Sequence, residues 1–466
     1  CYLTMNTPFN LPASAFKAYD IRGKVPSMLN EEFAVRLGRS LAMRARAAGV
    51  KQLVVGRDGR HSSPLLAEAL QRGMREAGVD TIDLGEVPTP LVYFAAHTLG
   101  TGSGVAVTGS HNPPEYNGFK MMMAGGTLHG DDITTLRSEM CKPLALPAQP
   151  GQTTSFDIVT PYLKYVVQDI KLSRPLKIAI DCGNGVAGGI APQFFEALGC
   201  EVIPMFCEVD GSFPNHHPDP ADPKNLQDLI KCVKTNQCDV GLAFDGDGDR
   251  LGVVTQNGEI IWPDRQMILF ARDVLSRNPG QTIIFDVKCS RQLAVAIEES
   301  GGQALMWRTG HSLVKAKLAE TGAPLAGEMS GHIFFKERWF GFDDGLYTGA
   351  RLLEILSRHA EPSAVLEALP NAYSTPELKL EMQEGEPFEL ISKLQREGRF
   401  EGAQSVSTID GLRADYADGF GLARASNTTP VVVLRFEGDN PVALDRIKKV
   451  FRDKLQTLAP DARLPF

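Results

Sequence analysis

No run of the sequence approaches the roughly 18 apolar residues that a membrane-spanning helix needs, so no membrane partner is expected. There is no basic surplus either: 48 Lys and Arg stand against 56 Asp and Glu, a net charge of −8, which argues against nucleic acid. The eight cysteines, at 1, 141, 182, 200, 207, 232, 238 and 289, include no CxxC pair. That argues against a zinc site or a disulfide framework and for free thiols in a reducing compartment. The N-terminus shows no basic stretch leading into an apolar one, so no signal peptide is expected and the expected location is the cytoplasm. No exposed apolar stripe stands out, and a monomer is expected.

What is present is ordinary globular composition over 466 residues, enough for three or four domains at about 150 residues each. An acidic chain that binds phosphate must build a local cationic pocket against its own average field. The informative places are therefore Arg and Lys beside glycine-rich loops.

Short β-like runs alternate with helical stretches through the first three-quarters of the chain. Gln52–Val55 reads as a strand ending at a Gly-Arg-Asp-Gly turn. Pro64–Ala77 reads as a helix capped by Ser62 or Ser63, and Ser103–Val107 as a strand. The pattern restarts at Leu176–Ile180, with a helix about Gly188–Leu198, a strand Glu201–Met205, a helix Asn225–Asn236 and a buried strand Val240–Phe244. It restarts again near Pro263, with strands Thr282–Val287, Ala304–Trp307 and Pro324–Ala326 and a long helix Asp344–His359. Three such units imply three α/β layers with parallel or mixed sheets. The last stretch differs: strands Glu377–Gln383, Ser405–Leu412 and Val431–Phe436 with helices Pro387–Arg396 and Val442–Leu458 make an α+β segment. The expected domains are 1–156, 157–259, 260–371 and 372–466.

Five segments carry candidate chemistry. Thr108-Gly109-Ser110-His111-Asn112-Pro113-Pro114 places a hydroxyl at a strand end, before a stretch that two prolines stiffen. Asp245-Gly246-Asp247-Gly248-Asp249-Arg250 alternates three carboxylates with two glycines that let the backbone curl until the acids converge. Converging hard oxygens suit Mg²⁺. An EF-hand start is a poor match, because Gln256 stands where the twelfth-position Glu would be, and a solvated acidic turn does not explain the apolar strand leading in or Arg250 following. Gly327-Glu328-Met329-Ser330-Gly331-His332 offers a carboxylate and a hydroxyl two residues apart, facing one way if the loop is extended. Arg424-Ala425-Ser426-Asn427-Thr428-Thr429-Pro430 combines a cation with small polar side chains and backbone N–H groups, a phosphate cradle or a plain polar turn. Tyr19-Asp20-Ile21-Arg22-Gly23 and Lys120 add cations near the start.

Taken together and in this order, the segments resemble the α-D-phosphohexomutase superfamily, and within it the bacterial phosphomannomutase/phosphoglucomutase branch, over essentially the whole chain. Gly-Glu-Met-Ser-Gly-His matches the mannose/glucose branch, whereas the glucosamine branch usually carries Gln in place of Met329. Arg308 stands where close relatives commonly have Lys, a departure that keeps the charge and loses the ammonium geometry. The resemblance implies three related mixed α/β units and a C-terminal α+β domain, TATA-box-binding-protein-like, around a central cleft.

The resemblance also implies the roles. Ser110 is the phosphoserine, and Asp245, Asp247 and Asp249 ligate Mg²⁺, with a phosphoserine oxygen filling another position. Arg250 lies by the phosphoryl group. Glu328 and Ser330 hold sugar hydroxyls. Arg424, Ser426, Asn427 and Thr428 hold the non-reacting phosphate. Tyr19, Arg22, Lys120, Lys288, His311 and His332 line the same cleft. The implied activity is reversible transfer of a phosphoryl group between C1 and C6 of mannose or glucose phosphate, through a hexose 1,6-bisphosphate, with glucose 1,6-bisphosphate or its mannose counterpart as activator. The general acid/base stays open among His111, Lys120, His311 and His332, with Arg22 eligible only in an unusual environment. The competing expectations are a phosphoglucosamine mutase and a non-catalytic sugar-phosphate-binding protein.

Overall fold

The computed structural model describes residues 11–144, 146–427 and 429–466. The chain forms two compact units. One takes the residues through Pro263 with 315–320 and 330–367, the other Asp264–Val314, Thr321–Met329 and Ala368–Phe466.

The first unit holds two sheets. In the first sheet the strands run Ile21–Lys24, Tyr116–Met123, Gly104–Val107, Gln52–Arg57, Asp80–Glu86 and Thr153–Ser155 in spatial order. Gln52–Arg57 is parallel to both Asp80–Glu86 and Gly104–Val107, while Tyr116–Met123 runs antiparallel to its neighbours. Helices Glu31–Ala47 and Ser63–Glu76 bury Phe33, Leu37, Leu41, Leu66, Leu70 and Met74 in a core with Val105 and Phe119. Asn30 caps the first helix by accepting from Phe33 N–H at 3.0 Å. The serine cap expected for the second is not made. The hydroxyls of Ser62 and Ser63 instead accept from Asn117 Nδ2 at 2.8 and 2.9 Å, and Pro64 occupies the first turn, where its missing N–H costs nothing.

The second sheet runs Ile260–Ile261, Leu251–Thr255, Val240–Phe244, Lys177–Asp181 and Glu201–Met205. The last three strands are parallel and Leu251–Thr255 returns antiparallel, so Asp245–Arg250 is a hairpin loop at the carboxyl end of a fully buried strand. The helix expected over Gly188–Leu198 is a 3₁₀ turn, Val186–Gly189, followed by a helix Ala191–Ala197. Two successive glycines favour the break, and Pro192 starts the helix after it.

The second unit carries parallel strands Gln303–Trp307, Thr282–Asp286 and Leu325–Gly327. It also carries an antiparallel sheet in the order Tyr373–Ser374, Val431–Gly438, Gly419–Ala425, Leu412–Tyr416 and Ser405–Ser407. Helices Glu386–Glu397 and Pro441–Leu458 bury Leu390, Leu394, Ile447, Phe451 and Leu455 with Phe436 of that sheet. The single strand expected over Ser405–Leu412 stops at Ser407 and resumes at Leu412, because Asp410-Gly411, with Gly411 at φ +81°, makes a turn.

Candidate active site

Ser110 sits beyond the carboxyl end of Gly104–Val107 with φ +51°, a left-handed conformation uncommon for a residue with a side chain. Two buried neighbours hold it there. Asp58 Oδ2 accepts from Thr108 Oγ1 at 2.9 Å and from Gly109 N–H at 3.0 Å. Arg60 donates through Nη2 to the carbonyls of Ser110 (2.7 Å) and Asn112 (2.6 Å), through Nη1 to those of Pro113 (2.6 Å) and Tyr116 (3.0 Å), and through Nε to Asp58 (3.1 Å). Thr108 Oγ1 accepts from Ser110 N–H at 2.8 Å. The loop is therefore fixed by its own backbone groups, and the Ser110 hydroxyl points to Asp245 Oδ2 at 3.2 Å, with His111 Nδ1 at 3.4 Å.

Asp245, Asp247 and Asp249 are completely buried and each offers an oxygen within 4.8 Å of the others, which rules out a solvated turn. The glycines permit this in two ways. A Cβ on Gly246 would stand 2.3 Å from the Ser110 carbonyl oxygen, so only glycine lets the two loops meet. Gly248 takes φ +75°. Asp245 Oδ1 accepts from the backbone N–H of Asp249 and Arg250, and Oδ2 from Arg250 Nε at 3.0 Å. Asp247 Oδ2 accepts from Thr89 Oγ1 at 2.6 Å and from Lys120 Nζ at 2.7 Å, while its Oδ1 has no hydrogen-bond partner among the described residues. An all-carboxylate donor set with a buried, unpartnered oxygen fits a hard divalent cation such as Mg²⁺. A second group of potential ligands, Asp249, His332 and Asp343, adjoins it, with Lys315 Nζ donating to Asp343 at 2.9 Å.

Cations surround these acids. Lys120 Nζ also donates to Asp249 Oδ2 at 2.5 Å. Arg22 donates to Asp20 at 2.6 Å and to Asn112 Oδ1 at 2.9 Å. His332 Nε2 lies 3.4 Å from Asp249 Oδ1, and its Nδ1 3.0 Å from Ser330 Oγ. Burial pushes Asp245 up to about 7, although Arg250 pulls the other way. Burial acts on Asp249 too, but Lys120 and His332 outweigh it and hold that carboxyl well below its ordinary range. Burial would lower Lys120, yet Asp247 and Asp249 hold it well above the usual lysine value. His111 is driven well below 6.5, first by burial and then by the charges of Arg250 and Arg22. At neutral pH it is an uncharged imidazole beside the serine hydroxyl.

In the second unit a different network forms. Lys288 Nζ donates to Glu377 Oε1 at 2.7 Å and lies 3.8 Å from Asp286. Thr309 Oγ1 donates to Asp286 Oδ2 at 2.9 Å, and Thr309 N–H to Asp410 Oδ2 at 2.9 Å. The same Asp410 oxygen accepts from Arg424 Nε at 3.0 Å. Glu328, buried, accepts from Gly310 N–H at 2.5 Å, next to His311 at the start of the helix His311–Thr321. Ser426 Oγ lies 3.1 Å from Thr429 Oγ1 and accepts from its N–H. Arg413 donates to the carbonyls of Val287 (2.7 Å) and Cys289 (2.8 Å), bracketing Lys288 from both sides.

Ser110, His111, Arg22, Lys120, the three aspartates, Arg250, Ser330 and His332 thus belong to the first unit, with Tyr19 half-buried before Asp20. Lys288, His311, Glu328, Arg424, Ser426 and half-buried Asn427 belong to the second. Thr428 lies outside the described residues. Sequence reasoning missed Asp58, Arg60, Asp286, Glu377, Asp410 and Arg413. The one available signal was the Gly-Arg-Asp-Gly turn around Asp58, which follows a strand as the serine loop does.

A serine presented on a strained turn against three buried carboxylates, in a chain of successive α/β sheets closed by an antiparallel one, defines a phosphohexomutase architecture. Each domain of one family matches in order: phosphoglucomutase/phosphomannomutase alpha/beta/alpha domain I over 13–143, domain II over 160–258, domain III over 262–373, and the C-terminal domain over 377–454. The phosphomannomutase/phosphoglucomutase of Pseudomonas putida is 55% identical over 461 residues, covering 98% of this chain and 99% of that one. The phosphoglucomutase of Neisseria meningitidis serogroup A is 54% identical over 450 residues, covering 96% and 98%. The crystal structure of a phosphoglucomutase/phosphomannomutase family protein from Burkholderia thailandensis superposes with a TM-score of 0.93 at 56% identity, covering 98% of this chain and all of that one. The chain belongs to the phosphoglucomutase/phosphomannomutase family and is an isomerase. No helix among the described residues is long and apolar enough to cross a membrane.

Proposed function

We propose that the protein interconverts the 1-phosphate and 6-phosphate of both mannose and glucose, with Ser110 carrying the phosphoryl group between turnovers. The observation that supports this most is the Ser110 hydroxyl at 3.2 Å from Asp245 Oδ2, one of three converging buried carboxylates. The free hydroxyl of a bound hexose monophosphate attacks phosphorus of phospho-Ser110. The P–O bond to Ser110 breaks, and the product is a hexose 1,6-bisphosphate. After the sugar reverses end for end, Ser110 Oγ attacks the other phosphate and the opposite monophosphate leaves.

Asp245, Asp247 and Asp249 would hold Mg²⁺, which supplies charge neutralisation to the transferring oxygens. Phosphoryl transfer depends on positioning and charge more than on covalent activation, and the residues divide accordingly. Arg60 and Asp58 fix the serine loop. Arg250, Lys120 and Arg22 supply positive charge around the phosphoryl group. His111, uncharged and 3.4 Å from Ser110 Oγ, takes the proton of the attacking hydroxyl, whether the sugar's or that of Ser110, and gives it to the oxygen that leaves phosphorus.

Glu328, Ser330, His311 and His332 would contact sugar hydroxyls. Lys288, Arg424, Ser426, Asn427 and Thr428 would take the phosphate that does not react, and Tyr19 would pack against the sugar. A site that binds either phosphate equally is what lets one enzyme process both ends. Glucose 1,6-bisphosphate re-phosphorylates a serine that has lost its group. The seven described cysteines are free, which suits the cytoplasm.

The test is a coupled assay of glucose 1-phosphate and mannose 1-phosphate with Mg²⁺ and a trace of glucose 1,6-bisphosphate. Turnover of both sugars is expected. Turnover of glucosamine phosphate alone would make the substrate assignment wrong, and binding without turnover of any of them would indicate a non-catalytic binding protein.

A further inference from the structure

We propose that Cys182 and Cys207 form a hydroperoxide-sensitive dithiol that closes reversibly to a disulfide beside the carboxylate loop. The two residues follow neighbouring parallel strands in which Asp181 pairs with Met205. Phe206 then turns left-handed, at φ +50°, and the Cys207 thiol lies 3.7 Å from Cys182 Sγ. One carbonyl anchors both: Met205 O accepts from Cys182 N–H at 3.2 Å and from Cys207 Sγ at 3.4 Å. A disulfide needs the sulfurs at about 2.05 Å, an approach of roughly 1.7 Å that side-chain rotation with slight backbone adjustment covers.

The two thiols are not equivalent. Cys182 is fully buried and Cys207 half-buried, so an oxidant meets Cys207 first. Once ionised, Cys207 accepts from the Cys182 thiol. That bond favours the Cys207 thiolate and, together with burial, keeps Cys182 a thiol. The thiolate of Cys207 attacks the O–O bond of a hydroperoxide, ROOH, giving the sulfenic acid and ROH. The sulfur of Cys182 then attacks the sulfenic sulfur, and hydroxide leaves with the Cys182 proton as water. The sum is two thiols and ROOH going to disulfide, ROH and water, and an external dithiol reverses it.

The bond would be felt at the metal loop. Cys182 O accepts from Gly185 N–H at 2.7 Å, and the next residue, Val186, donates its N–H to Gly246 O at 3.2 Å. A Cβ on Gly185 would stand 3.0 Å from Gly246 Cα. Moving Cys182 therefore moves the segment that supports Asp245–Arg250.

The full chain is treated with hydrogen peroxide, alkylated under denaturing conditions, digested and mapped by mass spectrometry, with turnover measured in parallel. The expected result is a linked Cys182–Cys207 peptide two hydrogens lighter than its reduced parts, lost on adding dithiothreitol, together with a several-fold fall in turnover that dithiothreitol restores. Cys207→Ser should yield no linked peptide and keep its turnover after peroxide. Sulfinic acid accumulating on Cys207 while Cys182 remains alkylatable, or both thiols remaining alkylatable, would overturn the pair. A linked peptide with unchanged turnover would overturn the coupling to the loop. The peptide readout does not depend on which sugar phosphate the enzyme takes.

Discussion

Arg60 Nη2 donates to the carbonyl oxygen of Ser110 at 2.7 Å, from a guanidinium that is 1% exposed and bonded to four carbonyls of the serine loop. The backbone of Ser110, and not only its side chain, is thus held by a cation from the turn after a neighbouring strand. A left-handed serine stores strain that its surroundings must offset, and Arg60 is the group placed to do so.

Replacing Arg60 by Lys keeps the charge and loses the fork that reaches several carbonyls at once. Turnover should fall at least about tenfold with little change in KM, since the loss is of nucleophile geometry rather than of substrate contacts. Steady-state kinetics beside a thermal melt would check this. A raised KM with unchanged kcat would show that Arg60 serves binding instead.

Gly246→Ala places a methyl group 2.3 Å from Ser110 O. The serine and carboxylate loops must separate, so activity should drop by roughly 100-fold or more, while the strand Val240–Phe244 beneath keeps its pairing. Circular dichroism close to wild type with lost turnover is the expected pair of results. Near-full activity would mean that the loops are free to part.

Arg424 is held by Asp410, which is itself bonded to Thr309. Arg424→Ala should raise KM about tenfold or more and alter kcat less, as expected for a contact to a phosphate that does not react. Asp410→Asn should do the same more weakly, because the arginine loses its ionic anchor.

Much of this site was legible in the sequence because its residues are contiguous. The serine loop, the three aspartates and the Gly327–His332 segment each lie within six or seven residues. What supports them was not. Asp58, Arg60, Asp410 and Arg413 are single charges in turns or strands, and at sequence level such residues read as surface. Only tertiary packing buries them and gives them carbonyls or carboxylates to bind. The strand Gly419–Ala425 escaped for a related reason: Gly-Phe-Gly-Leu-Ala-Arg-Ala has little intrinsic β-preference, and its pairing with strands on both sides supplies what the residues lack. Asp410-Gly411 likewise breaks an apparently continuous strand at the position where Arg424 is anchored.

His216 provides a pH test away from the reaction. Burial lowers its pKa, but the bond to Asp181 at 3.0 Å and that carboxylate's charge raise it above 6.5 overall. A raised histidine contributes stability that is fully present below its unfolded pKa and is lost as pH rises through the folded value. The Tm advantage of wild type over His216→Gln should therefore be largest below pH 6.5 and shrink as pH rises past that value. A Tm difference independent of pH would mean that His216 acts by packing alone.

A single turnover shows whether Ser110 carries the group that moves. Protein bearing an isotopically labelled phosphoryl group on Ser110 is mixed with unlabelled glucose 1-phosphate and Mg²⁺, and protein and sugar are followed by mass spectrometry. The label is expected to leave Ser110 and to enter glucose 1,6-bisphosphate and then glucose 6-phosphate, and Ser110→Ala is expected neither to take up label nor to isomerise the sugar. Isomerisation with the label still on Ser110, or label released as inorganic phosphate with no bisphosphate formed, would contradict it.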